Sequence, residues 1–256
     1  MKKLGVITGA SSGIGKAFAY ELAKTHNLVL IARRKELLIQ ISDELRKYKN
    51  RIKVFVADLS KERDLKRLEC FLSKRKVDIL VNAAGFGDSS PFHTSSSDSI
   101  HDMTYVHVVA TTRLSRIVLP GMRERKKGVI INVASISGFS KIDAGNIVYD
   151  STKAYLIRFS ELLQQNNELE NNIKIQVLCP GFTETEFFDH HNHGIKIPSF
   201  LWMKAEEVVR RSLNKIHSRK TVYIPGWYNI LLVRIIRSNF LLPLLKFLNN
   251  NTIKAF

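Results

Sequence analysis

A glycine-rich turn between a short apolar run and an amphipathic stretch constrains the fold most. Residues 4–8 are apolar and strand-like, residues 9–15 follow the pattern Gly-x-x-x-Gly-x-Gly, and residues 13–24 show helical apolar spacing. A strand, a glycine turn and a helix in this order allow backbone N–H groups and the helix N-terminus to approach a pyrophosphate. The stretch predicts a dinucleotide-binding turn, and a tight turn without a ligand is the alternative.

Strand-like and helix-like stretches then alternate along the chain, without a linker or an internal repeat. This alternation predicts a single-domain α/β Rossmann fold, with a doubly wound seven-stranded parallel sheet and helices on both faces. The length of 256 residues fits one large domain. We expect the dinucleotide-binding and catalytic domain to span residues 1–225, with a C-terminal helical extension at 226–256. The further strand-like runs are residues 28–32, 52–57, 79–81, 129–133, 173–178 and 221–224.

The carboxyl ends of the predicted strands carry residues suited to a dinucleotide. Arg33 follows the second strand, where an acidic residue would bind a ribose 2′-hydroxyl, so we predict that Arg33 binds the 2′-phosphate of NADP(H). The alternative is that one or both of Arg33 and Arg34 begin the next helix in solvent. Asp58 follows the third strand and is predicted either to bind the adenine amino group or to cap the helix after Ser60.

Tyr149 and Lys153 are four residues apart in a predicted helix and therefore share one of its faces. An ammonium beside the phenol is expected to lower the pKa of the tyrosine from about 10 toward neutral pH. A tyrosine with such a pKa can act as a general acid or base. The same spacing also occurs by chance on solvated helix faces, so the pair alone does not establish a site.

Five motifs, in this order along the chain, resemble the short-chain dehydrogenase/reductase family: residues 8–15, residues 82–85, Ser135, residues 149–153 and residues 180–181. The resemblance covers about residues 3–225. It is strongest to the NADP(H)-dependent branch that includes broad-substrate bacterial oxidoreductases and the hydroxysteroid and 3-ketoacyl reductases. It implies an enzyme that interconverts a carbonyl and a secondary alcohol on an apolar substrate such as a lipid. The alternative is a non-catalytic NADP(H)-binding regulatory or scaffold protein.

The resemblance also implies residue roles. Tyr149 would donate a proton to the carbonyl oxygen, and Ser135 would hydrogen-bond that oxygen. Lys153 would tune the tyrosine and hold the nicotinamide ribose. Ser137 is the alternative to Ser135, because Ser135 precedes Tyr149 by one residue more than the family pattern. The residues predicted to contact the cofactor are Gly9, Ser11, Ser12, Gly13, Ile14, Gly15, Arg33, Asp58, Leu59, Asn82, Ala83, Gly85, Tyr149, Lys153, Pro180, Gly181 and Thr183.

His107 stands where the family usually has an asparagine that helps hold a water, and this water passes protons to the lysine. An imidazole also has a donor and an acceptor, so His107 is a candidate catalytic residue that would serve the same relay. A histidine that merely packs in a helix is the alternative. We expect His107→Asn to keep or raise activity.

Two segments at the C-terminal side are rich in large apolar residues. Residues 182–203 are predicted to form an ordered lid over an apolar site. Residues 226–256 are predicted to cap the substrate pocket or a partner subunit, and a weak contact with anionic membrane is the alternative. The formal charge is +17, and every charged residue after Glu207 is basic. A transmembrane helix is not expected there, because four residues interrupt the apolar run: Arg234, Arg237, Pro243 and Lys246.

Several other features predict no further ligand. A nucleic-acid partner is not expected, since no recognised module is present. Cys70 and Cys179 are predicted to be buried free thiols, and no secretory signal is recognised, so we expect a cytoplasmic protein, peripheral to the membrane if the tail binds lipid. A homo-oligomer, dimer or tetramer, is expected. No metal is predicted, although three histidines lie close together in a loop without carboxylates at ligand spacing: His190, His191 and His193.

Overall fold

The structure is a computed structural model, and it describes residues 2–88, 90–141, 146–166, 172–189, 198–218 and 220–237. Its main sheet has seven parallel strands in the order β3-β2-β1-β4-β5-β6-β9, which confirms the predicted fold class, and β7 pairs with β8 beside it. The strands are β1 (Lys3–Thr8), β2 (His26–Ala32), β3 (Ile52–Val56), β4 (Ile79–Asn82), β5 (Gly128–Val133), β6 (Ile173–Leu178), β7 (Thr183–Glu184), β8 (Met203–Lys204) and β9 (Val222–Tyr223).

Helices follow most of the strands, and the long helical segment before β5 contains a π-helical turn. A π-helical turn at Tyr105–Ala110 joins α4 to α5, so that this part of the chain runs as one continuous helix. Such turns are rare and are frequent at functional sites. The helices are α1 (Gly13–Leu22), α2 (Lys35–Leu45), α3 (Glu62–Ser73), α4 (Ser97–Thr104), α5 (Thr111–Glu124), α6 (Ile147–Asn166), α7 (Glu186–Asp189), α8 (Ala205–Asn214) and α9 (Trp227–Arg237).

Both faces of the sheet are covered, and successive side chains of the central strands alternate between them. Val6 and Val29 pack on the side of α3 and α5, whereas Ile7 and Leu30 pack on the side of α1, α2 and α8. Burial on both faces explains why these strands have continuous apolar sequences. Each such side chain contributes about 1.5–3 kcal/mol through removal from water.

The order of the strands opens a crevice beside β1. This strand pairs with β2 on one side and with β4 on the other, so the connections leave its carboxyl end in opposite directions. The hydroxyl of Thr8 accepts hydrogen bonds from the N–H groups of Ala83 and Ala84, at 3.0 and 3.1 Å. These bonds hold the glycine turn after β1 beside the small residues that follow β4.

Two glycines allow this turn to close. Gly9 has φ +67°, and a side chain there would lie 2.7 Å from the carbonyl oxygen of Ala83. A Cβ atom on Gly15 would lie 2.2 Å from the carbonyl oxygen of Gly9. The first turn of α1 therefore packs directly on the glycine turn, and the backbone stays open toward the crevice.

The two cysteines have different environments. Cys179 is buried and free, as predicted, but Cys70 is exposed, so the prediction of a buried thiol there was wrong. The buried stripe of α3 consists of Leu65, Leu68 and Leu72, and Cys70 lies on the opposite face of that helix.

The C-terminal extension begins as the expected helix, α9. Within the ranges that the structure describes, no helix is both long enough and apolar enough to cross a membrane. His190, His191, His193, Pro243 and Lys246 lie outside those ranges, so the expectations about them stay predictions.

Gly15→Ala is expected to destabilise the protein by at least about 2 kcal/mol, because the added methyl group meets backbone that cannot move without opening the turn. Gly121→Ala in α5 is the matched control, since a Cβ atom there meets only the end of the Arg125 side chain. The control should stay within about 1 kcal/mol of the parent. Urea unfolding measures both variants, and equal losses would contradict the explanation.

Candidate active site

A cleft of about 370 Å³ lies at the carboxyl ends of the central strands, and most of the predicted site residues line it. Asn82 and His107 do not line the cleft and are buried behind it. The predicted residues along the wall are Gly9, Ser11, Ser12, Gly13, Ile14, Gly15, Arg33, Asp58, Leu59, Ala83, Gly85, Ser135, Tyr149, Lys153, Pro180, Gly181 and Thr183.

The cleft fits a dinucleotide at the N-terminus of α1. The first N–H groups of a helix have no partner within the helix, and those of α1, which begins at Gly13, face the cleft with its partial positive charge. Gly13 has φ +50°, and a Cβ atom there would lie 3.1 Å from Thr185. The absence of a side chain at Gly9 and Gly13 leaves room for phosphate oxygens against the backbone.

Arg34 is the arginine with a defined geometry beside the turn. Its guanidinium donates to the hydroxyl of Ser11 at 3.2 and 3.3 Å and pairs with the carboxylate of Glu186 at 2.8 Å. Arg33 also lines the cleft and is exposed. Arg34 directly precedes α2, so the alternative of a helix-opening arginine describes its backbone, while its side chain turns into the cleft wall.

Asp58 is not the cap of α3, because the N-cap residue of that helix is Lys61, and its contact with the adenine amino group stays a prediction. Its carboxylate accepts hydrogen bonds from the N–H and the hydroxyl of Ser60, at 3.0 and 2.9 Å, which fixes the turn that leads into α3. The same residue lines the cleft.

Tyr149 lies in the cleft wall with Ser135. A hydrogen bond from Ser135 lowers the pKa of Tyr149, but burial is the larger effect and raises that pKa above its usual value of 10. The phenol is therefore protonated at neutral pH. Ser137 does not line the cleft; its N–H donates to the hydroxyl of Ser135 at 3.1 Å.

Lys153 is buried one turn further along α6. Its ammonium donates to the carbonyl oxygen of Val133 at 3.1 Å and lies 5.2 Å from the centroid of the Tyr149 ring. Burial lowers the pKa of Lys153 to about 8. The expectation that this ammonium lowers the pKa of Tyr149 was wrong for this arrangement, because desolvation of the phenol outweighs any attraction between the two groups.

His107 lies in the π-helical turn and is completely buried. Its ring meets the Tyr149 ring edge-on, with 5.7 Å between the centroids, and also contacts Phe86 at 6.0 Å. Burial, and then the nearby charge of Lys153, lower the pKa of His107 well below 6.5, so the imidazole is neutral.

The side chain of Asn82 is buried among other residues and does not line the cleft. Its amide donates to Asn132 at 2.9 Å and to Ser115 at 3.3 Å, which joins β4 to β5 and α5. The side chain is thus turned away from the cleft, and only the backbone after it reaches the wall.

Two residues near the site, Glu186 and Thr152, were not singled out from the sequence, whereas Phe187 is one of the apolar residues of the predicted lid. Glu186 and Phe187 begin α7 within the predicted lid, and the Phe187 ring lies 5.5 Å from that of Tyr149. Thr152 contacts His107. The apolar richness of residues 182–203 indicated Phe187 as part of the lid, whereas no sequence signal indicates the partners of Thr152 or Glu186.

The glycine turn lies where the order of the strands reverses. A protonated tyrosine, a serine and a buried lysine lie together in the same cleft. These features together define an oxidoreductase with a Rossmann fold. The sequence matches the family described as short chain dehydrogenase over residues 3–196. The chain belongs to the short-chain dehydrogenase/reductase family and is an oxidoreductase that acts on CH–OH and C=O groups.

Relatives of the family carry more specific names. A very-long-chain 3-oxoacyl-CoA reductase from Danio rerio is 33% identical, and the alignment covers 88% of this chain and 74% of that one. A human 17-beta-hydroxysteroid dehydrogenase type 3 is 31% identical, with 84% and 69% covered. A short-chain dehydrogenase from Sphingobium yanoikuyae, solved in complex with NADPH, is 31% identical, with a TM-score of 0.82 and 88% and 89% covered.

Proposed function

We propose that this protein is an NADP(H)-dependent oxidoreductase that interconverts a carbonyl and a secondary alcohol on an apolar substrate, with Tyr149 as the proton donor or acceptor. The observation that carries the proposal is the placement of Ser135, Tyr149 and Lys153 in the wall of the cleft that begins at the glycine turn. The roles given to these residues follow from their protonation states and positions.

Tyr149 is suited to the reducing direction because its phenol holds a proton at neutral pH. The hydroxyl of Ser135 hydrogen-bonds the phenol and can share the same carbonyl oxygen as charge develops on it. Lys153 lies 5.2 Å from the centroid of the Tyr149 ring, and burial lowers its pKa to about 8. We propose that its positive charge offsets part of the cost of the phenolate that remains after proton transfer, although burial still holds the pKa of Tyr149 above 10. A bound nicotinamide would supply the hydride.

The apolar side of the proposed substrate is supported by the aromatic residues around Tyr149. Phe86 and Phe187 line the cleft, and Phe182 packs on Trp202 with 5.7 Å between their rings. We propose that Phe86 and the aromatic side chains of residues 182–203, the segment expected to act as a lid, contact the apolar part of the substrate. The names of the relatives, 3-oxoacyl-CoA reductase and hydroxysteroid dehydrogenase, support the same substrate class.

Tyr149→Phe is expected to lower kcat at least about 100-fold while NADPH binding is kept, because only the proton donor is removed. Tyr155→Phe is the matched control on the same helix, since Tyr155 is partly exposed and its hydroxyl bonds only Thr112 among its described contacts. The measurement follows NADPH absorbance with ketones, aldehydes and 3-oxoacyl thioesters.

Turnover unaffected by Tyr149→Phe would disprove the mechanism. Tight NADPH binding without turnover of any substrate would instead favour the alternative, a regulatory or scaffold protein that holds the nucleotide.

The preference for NADP(H) rests on Arg33 and Arg34. Arg33 is exposed at the cleft, where a planar guanidinium can pair with a phosphate through two hydrogen bonds. Arg34 already pairs with Glu186, which leaves Arg33 as the arginine proposed to bind the 2′-phosphate and Arg34 as a second cation beside it.

Arg33→Ala is expected to raise the KM for NADPH at least about tenfold and to change the KM for NADH little, since a hydrogen bond to a charged group contributes about 1.5–3 kcal/mol. Arg46→Ala, at the far end of α2, is the charge-matched control, because Arg46 pairs with Asp43 away from the cleft. Equal effects on the two cofactors would exclude a role for Arg33 in their discrimination.

The helix α9 supports both proposals made for the C-terminal extension. Its inner side closes on the cleft wall, because the Asn229 side chain occupies the space that a side chain on Gly181 would need. Its outer side exposes Trp227, Ile230 and Leu231, followed by basic residues. We propose that the inner side caps the site and that the outer side contacts anionic lipid weakly.

The protein is expected to co-sediment with anionic vesicles at low salt. High salt should release it from the vesicles because surface charges are screened. Leu231→Gln should reduce the bound fraction. Ile39→Gln should not, although Ile39 on α2 is similarly exposed. Absence of binding at either salt concentration would remove the membrane proposal. A cytoplasmic location and a homo-oligomer stay predictions, which cell fractionation and light scattering would check.

A further inference from the structure

The two ring nitrogens of His107 have different partners, and these partners fix its tautomer. The backbone N–H of Phe86 can only donate, so the Nε2 atom, 3.2 Å away, accepts from it. The hydroxyl of Thr152 donates to the carbonyl oxygen of Tyr149 at 2.7 Å. It therefore accepts from the Nδ1 atom of His107, 2.8 Å away, and the proton of the neutral ring lies on Nδ1.

These contacts connect three parts of the site. The ring of His107 is anchored to the π-helical turn, its Nε2 atom holds the backbone after β4, and its Nδ1 atom holds the turn of α6 between Tyr149 and Lys153. The ring also packs edge-on against Tyr149. A side chain on Gly85 would lie 2.8 Å from Nε2 and 3.6 Å from the ammonium of Lys153, so the imidazole is closely fitted into this space.

Given the function proposed above, we propose that His107 and Thr152 form a fixed polar strut that positions Tyr149 and Lys153, and that His107 passes no proton to Lys153. Both residues are then positioning residues, because their contacts reach the reaction only through Tyr149 and Lys153. Thr152 is the new member, since its single hydroxyl joins the histidine to the backbone of the proposed proton donor.

A relay through His107 would require the ring proton to move from one nitrogen to the other. After that exchange, the Phe86 N–H would face another donor, and the Thr152 hydroxyl would lose the hydrogen bond that it accepts from the ring. Both groups are at least partly buried, where a lost hydrogen bond is not replaced by water at no cost. A ring with both nitrogens engaged is therefore suited to holding a position.

The tautomer can be measured without turnover. In protein labelled with nitrogen-15 histidine, the His107 signal, assigned by its loss in His107→Asn, is expected to show a protonated Nδ1 and an unprotonated Nε2. The two shifts should not change between about pH 6 and pH 8, with or without NADPH, because the ring is buried and neutral. Averaged shifts, or a ring that titrates in this range, would overturn the fixed strut.

The positioning role is tested by Thr152→Val, which keeps the shape of the side chain and removes the hydroxyl. This variant is expected to lower kcat about tenfold or more with the KM for NADPH within about twofold, and Thr152→Ser should restore kcat. Ser160→Ala is the matched control, because Ser160 is also buried on α6 and its hydroxyl also bonds a backbone carbonyl, that of Leu156, at 2.7 Å.

Ser160→Ala should lose thermal stability as Thr152→Val does but should keep kcat, so that the difference separates positioning from general destabilisation. A kcat of Thr152→Val within about threefold of the parent would overturn the strut. If the parent turns over no substrate, the proposed function fails, and the nitrogen-15 measurement still decides whether His107 holds one tautomer.

Discussion

Desolvation of a few ionisable side chains is the constraint on which the site depends. Lys153 and His107 are buried, and Tyr149 is surrounded by protein on the side away from the cleft. A charge in such surroundings is costly, so the phenol keeps its proton, the imidazole stays neutral and the pKa of the ammonium falls to about 8. The proposed proton donor is therefore protonated before any ligand contributes.

The fold makes this arrangement possible by bringing distant segments to one edge of the sheet. The reversal of strand order beside β1 opens the crevice, and the hydroxyl of Thr8 holds the turns after β1 and β4 together. The helix α6 places Tyr149 and Lys153 beside that edge, and the π-helical turn places His107 next to both of them. The residues proposed for nucleotide binding and those proposed for proton transfer thus share one wall of the cleft.

The sequence pattern predicted the parts of the site that depend on local spacing. The glycine turn, the helix of Tyr149 and Lys153 and the small residues after β4 all lie where the alternation of strands and helices places them. The sequence-based predictions failed where a long-range contact determines the orientation of a side chain, its exposure or its pKa. Asn82 turns toward β5 instead of the cleft, Cys70 lies on the exposed face of α3, and burial reverses the expected shift in the pKa of Tyr149.

The sequence by itself determined the alternating strands and helices, the glycine turn and the register of Tyr149 with Lys153, because these follow from backbone sterics and helical periodicity. Only the tertiary structure decided which tautomer His107 holds and which arginine is already paired. The partners of His107 are 21 and 45 residues away, and Glu186 is 152 residues from Arg34. Hydrogen bonding and desolvation depend on such contacts, which local sequence does not specify.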